Sequence, residues 1–361
     1  MEVISIPSTS LFVCSSRLFI TNSFIERVLN NPNSDDQTKE LVKPLLGVYD
    51  SSLPNLLEKY LSILVYDPYS YYFCQTAESS LIVSNAMDKA NLQYPGCYES
   101  ESFRKEVLEE IKFPTNLSFK ELKQYIMSSK SPMMSWTMLN SKGLIIHMLL
   151  RTKYIDDFVQ EKINEGYEQF VILGAGFDTR GYRMPFKSGT TVWEVDFPEV
   201  LNYKRYVIEG VKDVPKVSQA DNVYIISDLL ATKDWTEQLE ATGFNRNKKT
   251  IWIMEGLLPY IERSGVSSVL KTINSLSTSG SGVCFENILA DESKYDKHNP
   301  IVIFMYSTMR SHTHLPFEFI PELGFTKDVK VLYENQTQKH FKISDEEDDC
   351  HVRSYLTIAY K

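Results

Sequence analysis

The residues with the clearest chemical signature follow a short apolar run, Phe170–Leu173, which leads directly into Gly174, Ala175 and Gly176. Glycine has no Cβ, so a turn built from these residues lets ligand atoms approach the backbone closely. A helix after the turn would add unpaired backbone N–H groups. The pattern predicts a site for a nucleoside-containing cofactor, and the alternative is a tight strand-to-helix turn that binds nothing.

Two absent features restrict the class of cofactor. A dinucleotide-binding fold would place a third glycine at position 179, where this sequence has Thr179. The phosphate-binding loop of nucleoside triphosphatases needs a lysine after its glycines, and this turn has none. An NAD-dependent oxidoreductase is therefore disfavoured.

A second signal, Asp196, ends the next predicted strand, Thr191–Val195, about 20 residues beyond the glycine turn. At that place a carboxylate can accept hydrogen bonds from both hydroxyl groups of a ribose. Glu194 points to the same face of the strand but lies deeper in it. The alternative role for Asp196 is a helix cap ahead of Pro198.

Apolar runs alternate with helical patterns from Gln169 onward, which is typical of a doubly wound, parallel α/β sheet. The predicted parallel strands are Phe170–Leu173, Thr191–Val195, Val223–Ile226, Thr250–Met254 and Val283–Phe285. Two further predicted strands have no crossover helix between them, so we expect them to pair antiparallel at one edge. These two strands are Val329–Tyr333 and His351–Tyr360.

The chain before this sheet is predicted to be helical, because its apolar residues recur at helical spacing. The predicted helices are Leu53–Tyr66, Glu78–Asn91, Phe103–Ile111, Trp136–Leu150 and Tyr154–Ile163.

The composition is typical of a globular protein, since 43% of the 361 residues are hydrophobic and 24% are charged. The net charge of -9 disfavours binding to nucleic acid, which requires a cationic surface. No apolar run reaches the roughly 20 residues that span a bilayer, so no membrane association is expected. Five scattered cysteines without a C-x-x-C pair predict neither a disulfide framework nor a metal site. The lack of a secretory signal pattern predicts a cytoplasmic protein.

Four stretches in this order resemble the leucine carboxyl methyltransferase family. They are RTKYIDD (Arg151–Asp157), VILGAGFDTRGYRM (Val171–Met184), EVDFPEV (Glu194–Val200) and EGLLPYI (Glu255–Ile261). The resemblance implies the class I methyltransferase fold, a doubly wound, mostly parallel seven-stranded sheet with an antiparallel edge hairpin. It also implies an N-terminal helical cap over residues 1–130 and a methyltransferase domain over residues 131–361.

The resemblance further implies a site for S-adenosylmethionine (SAM). Arg151 would hold the methionine carboxylate, and Gly174, Ala175 and Gly176 would line the methionine and the ribose. Asp196 would hold the ribose, Asp228 and Leu229 would flank the adenine, and Glu255 would lie beside the methionine or the acceptor. Without the motif, Arg151 would be read as a surface arginine on a helix.

The function predicted from these residues is O-methylation, with a methyl ester formed on a carboxylate of a small molecule or of a protein C-terminus. A carboxylate is already ionised at neutral pH and needs no general base. A hydroxyl acceptor would need one, and the candidates are Glu255, His312 and His314. Arg180 and Arg183 could attract an acidic acceptor or could pair with Asp or Glu.

One departure from the family pattern bears on the acceptor. The leucine-methylating members carry a lysine and a tyrosine in an N-terminal helix, and Ser84 falls near the lysine position here, which disfavours a protein phosphatase as the acceptor. An alternative function is an inactive SAM-binding module that acts through a protein partner. The sequence predicts no oligomeric state.

Overall fold

The computed structural model describes residues 5–43, 46, 61–109, 112–139, 142–289, 309–310, 320, 324–343 and 353–361. The chain divides into two compact units. Within the described residues, one unit runs to Leu149 and includes Tyr206–Pro215, and the other comprises Leu150–Arg205 and the segments after Lys216. The domain boundary expected near residue 130 stays a prediction.

The first unit is helical. Its helices are α1 (Ser5–Asn30), α2 (Asp36–Val42), α3 (Tyr69–Cys74), α4 (Ala77–Gln93), α5 (Glu101–Phe103), α6 (Phe119–Met127) and α7 (Pro132–Thr137). Helix α1 packs against α3, α4 and α7. Inside this unit the Arg17 Nε donates to the Asp67 Oδ2 over 2.7 Å, and both side chains are buried.

Local sequence explains where two of these helices begin. The Thr76 hydroxyl accepts from the Ser79 N–H at the start of α4, which contains the predicted helix Glu78–Asn91. At the start of α6, Ser118 and Glu121 form a reciprocal capping box.

Two predicted helices of this unit were wrong in part. The pattern Phe103–Ile111 is a short α-helix that continues as a π-helix over Arg104–Leu108. The pattern Leu53–Tyr66 falls partly outside the described residues, and its described end is a 3-10 turn, Leu61–Ile63, followed by irregular chain.

The second unit contains a seven-stranded sheet. Its strands are β1 (Gln169–Leu173), β2 (Thr191–Asp196), β3 (Asp221–Ile226), β4 (Thr250–Met254), β5 (Gly282–Leu289), β6 (Lys327–Tyr333) and β7 (Arg353–Tyr360). Their order is β3-β2-β1-β4-β5-β7-β6. Strands β1 to β5 are parallel, and β7 runs antiparallel to both β5 and β6. The predicted class I methyltransferase architecture, with its antiparallel edge, is confirmed.

Helices accompany the strands. They are α8 (Lys142–Asn164), α9 (Arg180–Arg183), α10 (Pro198–Gly210), α11 (Thr232–Ala241), α12 (Arg263–Leu276) and α13 (Glu334–His340). The prediction of two helices, Trp136–Leu150 and Tyr154–Ile163, was wrong, because α8 is continuous through Arg151. Between Gly143 and the end of α8 at Asn164, neither glycine nor proline interrupts the helix. The connection between β6 and β7 contains α13, and the two strands pair antiparallel, as predicted.

Burial on both faces explains the short apolar strands. Every residue of β1 and β4 is buried, as expected for central parallel strands covered by helices. Because parallel strands end at the same edge of a sheet, the residues after β1 to β4 lie along one edge, which is where such sheets bind ligands. Among the described residues, no helix has the length and apolar character needed to cross a bilayer.

Candidate active site

The turn after β1 depends on two glycines with left-handed backbone. Gly174 has φ of 63° and Gly176 has φ of 47°, conformations that L side chains rarely adopt. A Cβ on Gly174 would lie 2.6 Å from the Leu257 Cδ1. The Gly174 and Ala175 N–H groups both donate to the Val195 carbonyl, at 2.9 and 3.2 Å. These bonds fix the turn to the end of β2.

Asp196 meets this turn directly. Its Oδ2 accepts from the Gly176 N–H and its Oδ1 from the Phe197 N–H, both at 2.7 Å. The donors are not the first-turn N–H groups of α10, so Asp196 is not a conventional helix cap. Burial raises the pKa of Asp196 to about 6, although the two backbone donors act in the opposite direction.

The strand order sets the sequence of side chains along the carboxyl edge. Asp228 follows β3, Asp196 ends β2, the glycine turn follows β1, and Glu255 follows β4. Asp228 is exposed, and its Oδ1 accepts from the Leu230 N–H at 2.9 Å. The Leu229 side chain is buried in the core.

Arg151 is buried rather than on the surface, with 4% of its area exposed. Its Nε donates to the Glu255 Oε1 at 2.9 Å, and its Nη1 donates to the Glu286 Oε2 at 2.7 Å. Burial would lower the pKa of the Arg151 guanidinium, but Glu286 and Glu255 raise it above its usual value. The alternative of a surface arginine is excluded.

Glu255 is held by donors on two sides. Its Oε1 accepts from the Arg151 Nε and from the Thr152 hydroxyl at 3.0 Å. Its Oε2 lies 2.6 Å from the Arg180 Nη1. Both oxygens of Glu255 are therefore engaged by donors, which fixes the orientation of the carboxylate.

Arg180 and Arg183 pair with carboxylates inside the protein. The Arg180 Nε donates to the Asp156 Oδ1 at 2.7 Å and its Nη1 to the Asp178 Oδ2 at 2.5 Å. Arg183 contacts both oxygens of Asp156, at 2.7 and 2.8 Å. Of the two roles considered for these arginines, pairing with acidic residues is the one observed.

Helix α9 does not provide the expected helix N-terminus. It has only four residues, Arg180–Arg183, too few to align the backbone dipoles of several turns. The Arg180 N–H, at its start, donates to the Asp178 Oδ1 at 2.7 Å. The expectation of unpaired helical N–H groups was therefore wrong for the first residue of α9, Arg180.

A second buried ion pair lies on the same strand as Asp196. The Glu194 Oε2 accepts from the Lys204 Nζ, and both side chains are completely buried. The other oxygen of Glu194 has no hydrogen-bond partner among the described residues. Burial raises the pKa of Glu194 to about 7, even though Lys204 favours the ionised form. Glu194 thus lies deeper than Asp196, as predicted.

Sequence reasoning missed Glu286, because the fifth strand was predicted to end at Phe285. The available signal was a Glu-Asn pair inside an otherwise apolar run, VCFENIL, which indicates a buried carboxylate with a partner. Thr152 and Asp156 lay in the quoted motif without an assigned role. His312 and His314 lie outside the described residues.

Comparison with known proteins identifies relatives. The profile of the leucine carboxyl methyltransferase family matches residues 58–274. A protein of Frankia alni, named provisionally as a SAM-dependent methyltransferase, is 35% identical over 39% of this chain and 48% of its own length. A similarly named protein of Mycobacterium ulcerans is 32% identical over 52% of this chain and 60% of its own. The chain therefore spans about half the length of the curated relatives it matches.

A solved structure from Thermobifida fusca, described provisionally as a methyltransferase, superposes with a TM-score of 0.46 at 14% identity. The superposition covers 74% of this chain and 97% of that one.

Proposed function

Because the chain belongs to the leucine carboxyl methyltransferase family, we propose that it is a SAM-dependent O-methyltransferase. The proposed reaction forms a methyl ester on a carboxylate, of either a small molecule or a protein C-terminus. The observation that carries this proposal is the junction of two strand ends, where the Gly176 N–H donates to the Asp196 carboxylate over 2.7 Å.

The residues at the carboxyl edge suit a nucleoside with an amino-acid tail. Each Asp196 oxygen accepts one backbone N–H and keeps a lone pair that can accept a ribose hydroxyl. Left-handed backbone at Gly174 and Gly176 shapes the turn beside Asp196, and at Gly174 the Leu257 side chain occupies the space that a Cβ would fill. The guanidinium of Arg151 suits the α-carboxylate of the tail, and Glu255 suits its α-ammonium group.

When bound, SAM supplies a methyl group on a positively charged sulfonium that an acceptor oxygen can displace in line. The chain contributes by holding the acceptor oxygen in line with the methyl group and the sulfur. A carboxylate acceptor arrives ionised at neutral pH, so the site needs no general base. The geometry of Glu255, fixed by Arg151, Arg180 and Thr152, suits a binding group better than a base.

The test is turnover of methyl-labelled SAM by the full chain with a panel of carboxylic acids, phenols and alcohols. Mild alkali separates the products, because a methyl ester releases volatile methanol whereas a methyl ether or methylamine is stable. We expect label that alkali converts to methanol, in an amount equal to the S-adenosylhomocysteine formed. The Asp196→Asn variant should show greatly reduced turnover under the same conditions.

Three results would contradict the proposal. Label that resists alkali would show that the methyl group is transferred to a group other than a carboxylate. Binding of S-adenosylhomocysteine without turnover on any acceptor, peptides with free C-termini included, would favour the inactive binding module. Thermal stabilisation by NAD but not by S-adenosylhomocysteine would remove the SAM site altogether.

A further inference from the structure

Arg151 and Glu255, which are proposed to hold the amino-acid tail, contact further buried charged residues that have no binding role in the proposal. These residues and their partners form a set that we call the arginine–carboxylate cluster: Arg151, Arg180, Arg183, Asp156, Asp178, Glu255 and Glu286. Arg151 and Asp156 lie on α8, Arg180 and Arg183 on α9, and Asp178 in the turn after β1. Glu255 follows β4, and Glu286 lies on β5. The cluster contains four carboxylates against three guanidinium groups. Buried charges are costly unless they are paired, so the cluster needs a reason beyond core packing.

Arg180 pairs with three of the four carboxylates of this cluster. All three of its guanidinium nitrogens are engaged: Nε with Asp156, Nη1 with Asp178 and Glu255, and Nη2 with the Thr152 carbonyl at 3.2 Å. Only 1% of the residue is exposed. Arg180 therefore has no face to offer a ligand, but it joins the glycine turn, α8 and the end of β4 at one point.

Glu286 has a similar relation to Arg151. It is completely buried on β5, and its Oε2 accepts from the Arg151 Nη1 at 2.7 Å while Glu255 engages Nε. The carboxylates of Glu255 and Glu286, bound at two different nitrogens of Arg151, fix the plane of the Arg151 guanidinium. Gly256 allows this placement, because a Cβ there would lie 3.3 Å from the Arg151 Nη1.

We infer that Arg180 and Glu286 are positioning residues for the amino-acid end of the methyl donor. Arg180 sets the position of Glu255, and Glu286 together with Glu255 sets the orientation of Arg151. The near balance of charge in the cluster suits a zwitterion, whose ammonium and carboxylate groups add no net charge. This inference rests on the proposed function, since it concerns the tail of the same donor.

Two ligands distinguish positioning from general stabilisation. S-adenosylhomocysteine and 5′-methylthioadenosine share adenine, ribose and a thioether, and differ in the amino-acid tail. A residue that only stabilises the fold should change the affinity for both to the same extent. A residue that positions Arg151 or Glu255 should change the affinity for S-adenosylhomocysteine alone.

The experiment is calorimetric titration of the full chain and its Glu286→Gln and Arg180→Lys variants with both ligands. Glutamine keeps the shape of Glu286 and an acceptor for Arg151 but removes the charge. Lysine keeps the charge of Arg180 but cannot reach Asp156, Asp178 and Glu255 together. We expect binding of S-adenosylhomocysteine to weaken by roughly tenfold, the loss typical of one charge-assisted hydrogen bond. Binding of 5′-methylthioadenosine should stay within about twofold.

Lys162→Met is the matched control. Lys162 is on the same helix as Arg151, is equally buried, and pairs with Glu161 and Glu165 outside the cluster. It should leave the ratio of the two affinities unchanged.

The outcomes separate the two proposals. Equal weakening of both ligands by Glu286→Gln would overturn the inference while leaving the proposed function intact. Failure of the wild-type chain to bind either ligand would overturn the proposed function and the inference with it. If Arg180→Lys does not fold, Glu286→Gln decides alone, since its substitution is nearly isosteric.

Discussion

Replacing Asp196 with asparagine separates ligand binding from stability. In the folded chain, the two carboxylate oxygens accept from the Gly176 and Phe197 N–H groups, each at 2.7 Å. Asparagine keeps one of these acceptors and turns an amide donor towards the other N–H group. It also removes the negative charge that would accept the two ribose hydroxyls.

The expected loss of affinity follows from the strength of these hydrogen bonds. A hydrogen bond to a charged group contributes roughly 1.5–3 kcal/mol, against roughly 0.5–1.5 kcal/mol for a neutral one. Weakening two of them should cost roughly 2–3 kcal/mol, which corresponds to a roughly 30- to 150-fold rise in the Kd for S-adenosylhomocysteine.

The expected change in stability is much smaller, because two effects oppose each other. Burial raises the pKa of Asp196 from 3.8 to about 6, so its ionised form costs the folded state about 3 kcal/mol at neutral pH. Asparagine removes that cost. It also leaves one buried N–H without an acceptor, a penalty of about 1–3 kcal/mol. We expect the free energy of unfolding to change by less than about 2 kcal/mol.

The two quantities are measured by calorimetric titration with S-adenosylhomocysteine and by urea unfolding without ligand. Glu199→Gln is the matched control, because it removes a carboxylate from an exposed position three residues away. The control should bind within about twofold of wild type. Wild-type affinity in Asp196→Asn would refute the assignment of Asp196 to the ribose. A large fall in the free energy of unfolding of that variant would show that the two opposing effects on stability do not cancel.

Three further outcomes follow from the same contacts. Affinity for S-adenosylhomocysteine should rise with pH through about 6, because the proposed contact with the ribose requires the ionised form of Asp196; a flat profile between pH 5 and 8 would count against this. Lys204→Met should lower the free energy of unfolding by roughly 3–5 kcal/mol at pH 8, since Glu194 loses its partner. That loss should shrink as the pH falls and Glu194 takes up a proton, which urea titrations at both pH values would show. Gly174→Ala should destabilise the fold by about 1–3 kcal/mol, through its φ of 63° and a clash with Leu257; unchanged thermal unfolding would contradict it.

The strands and the glycine turn could be predicted because their signals are local. Continuous apolar runs mark buried parallel strands, and all seven predicted strands are found wherever the structure describes them. The meeting of Gly176 with Asp196 also followed from sequence, since the ends of neighbouring parallel strands share an edge.

The charged cluster could not be predicted because its partners are remote in sequence. Arg151 pairs with Glu255 and Glu286, which lie 104 and 135 residues further along the chain. Such pairs depend on which strands become neighbours, and local patterns carry no information about that. The continuity of α8 was missed as well, although neither glycine nor proline lies between Leu150 and Tyr154.

The continuity of α8 limits how this protein can vary in length. One helix presents Arg151, Thr152 and Asp156 to partners on β5, on α9 and directly after β4. Inserting or deleting a single residue within α8 would rotate everything beyond it by about 100° and shift it by about 1.5 Å along the axis. Where the change falls between Thr152 and Asp156, Arg151 and Asp156 could not both keep their partners, so tolerated insertions belong in the loops that flank this helix.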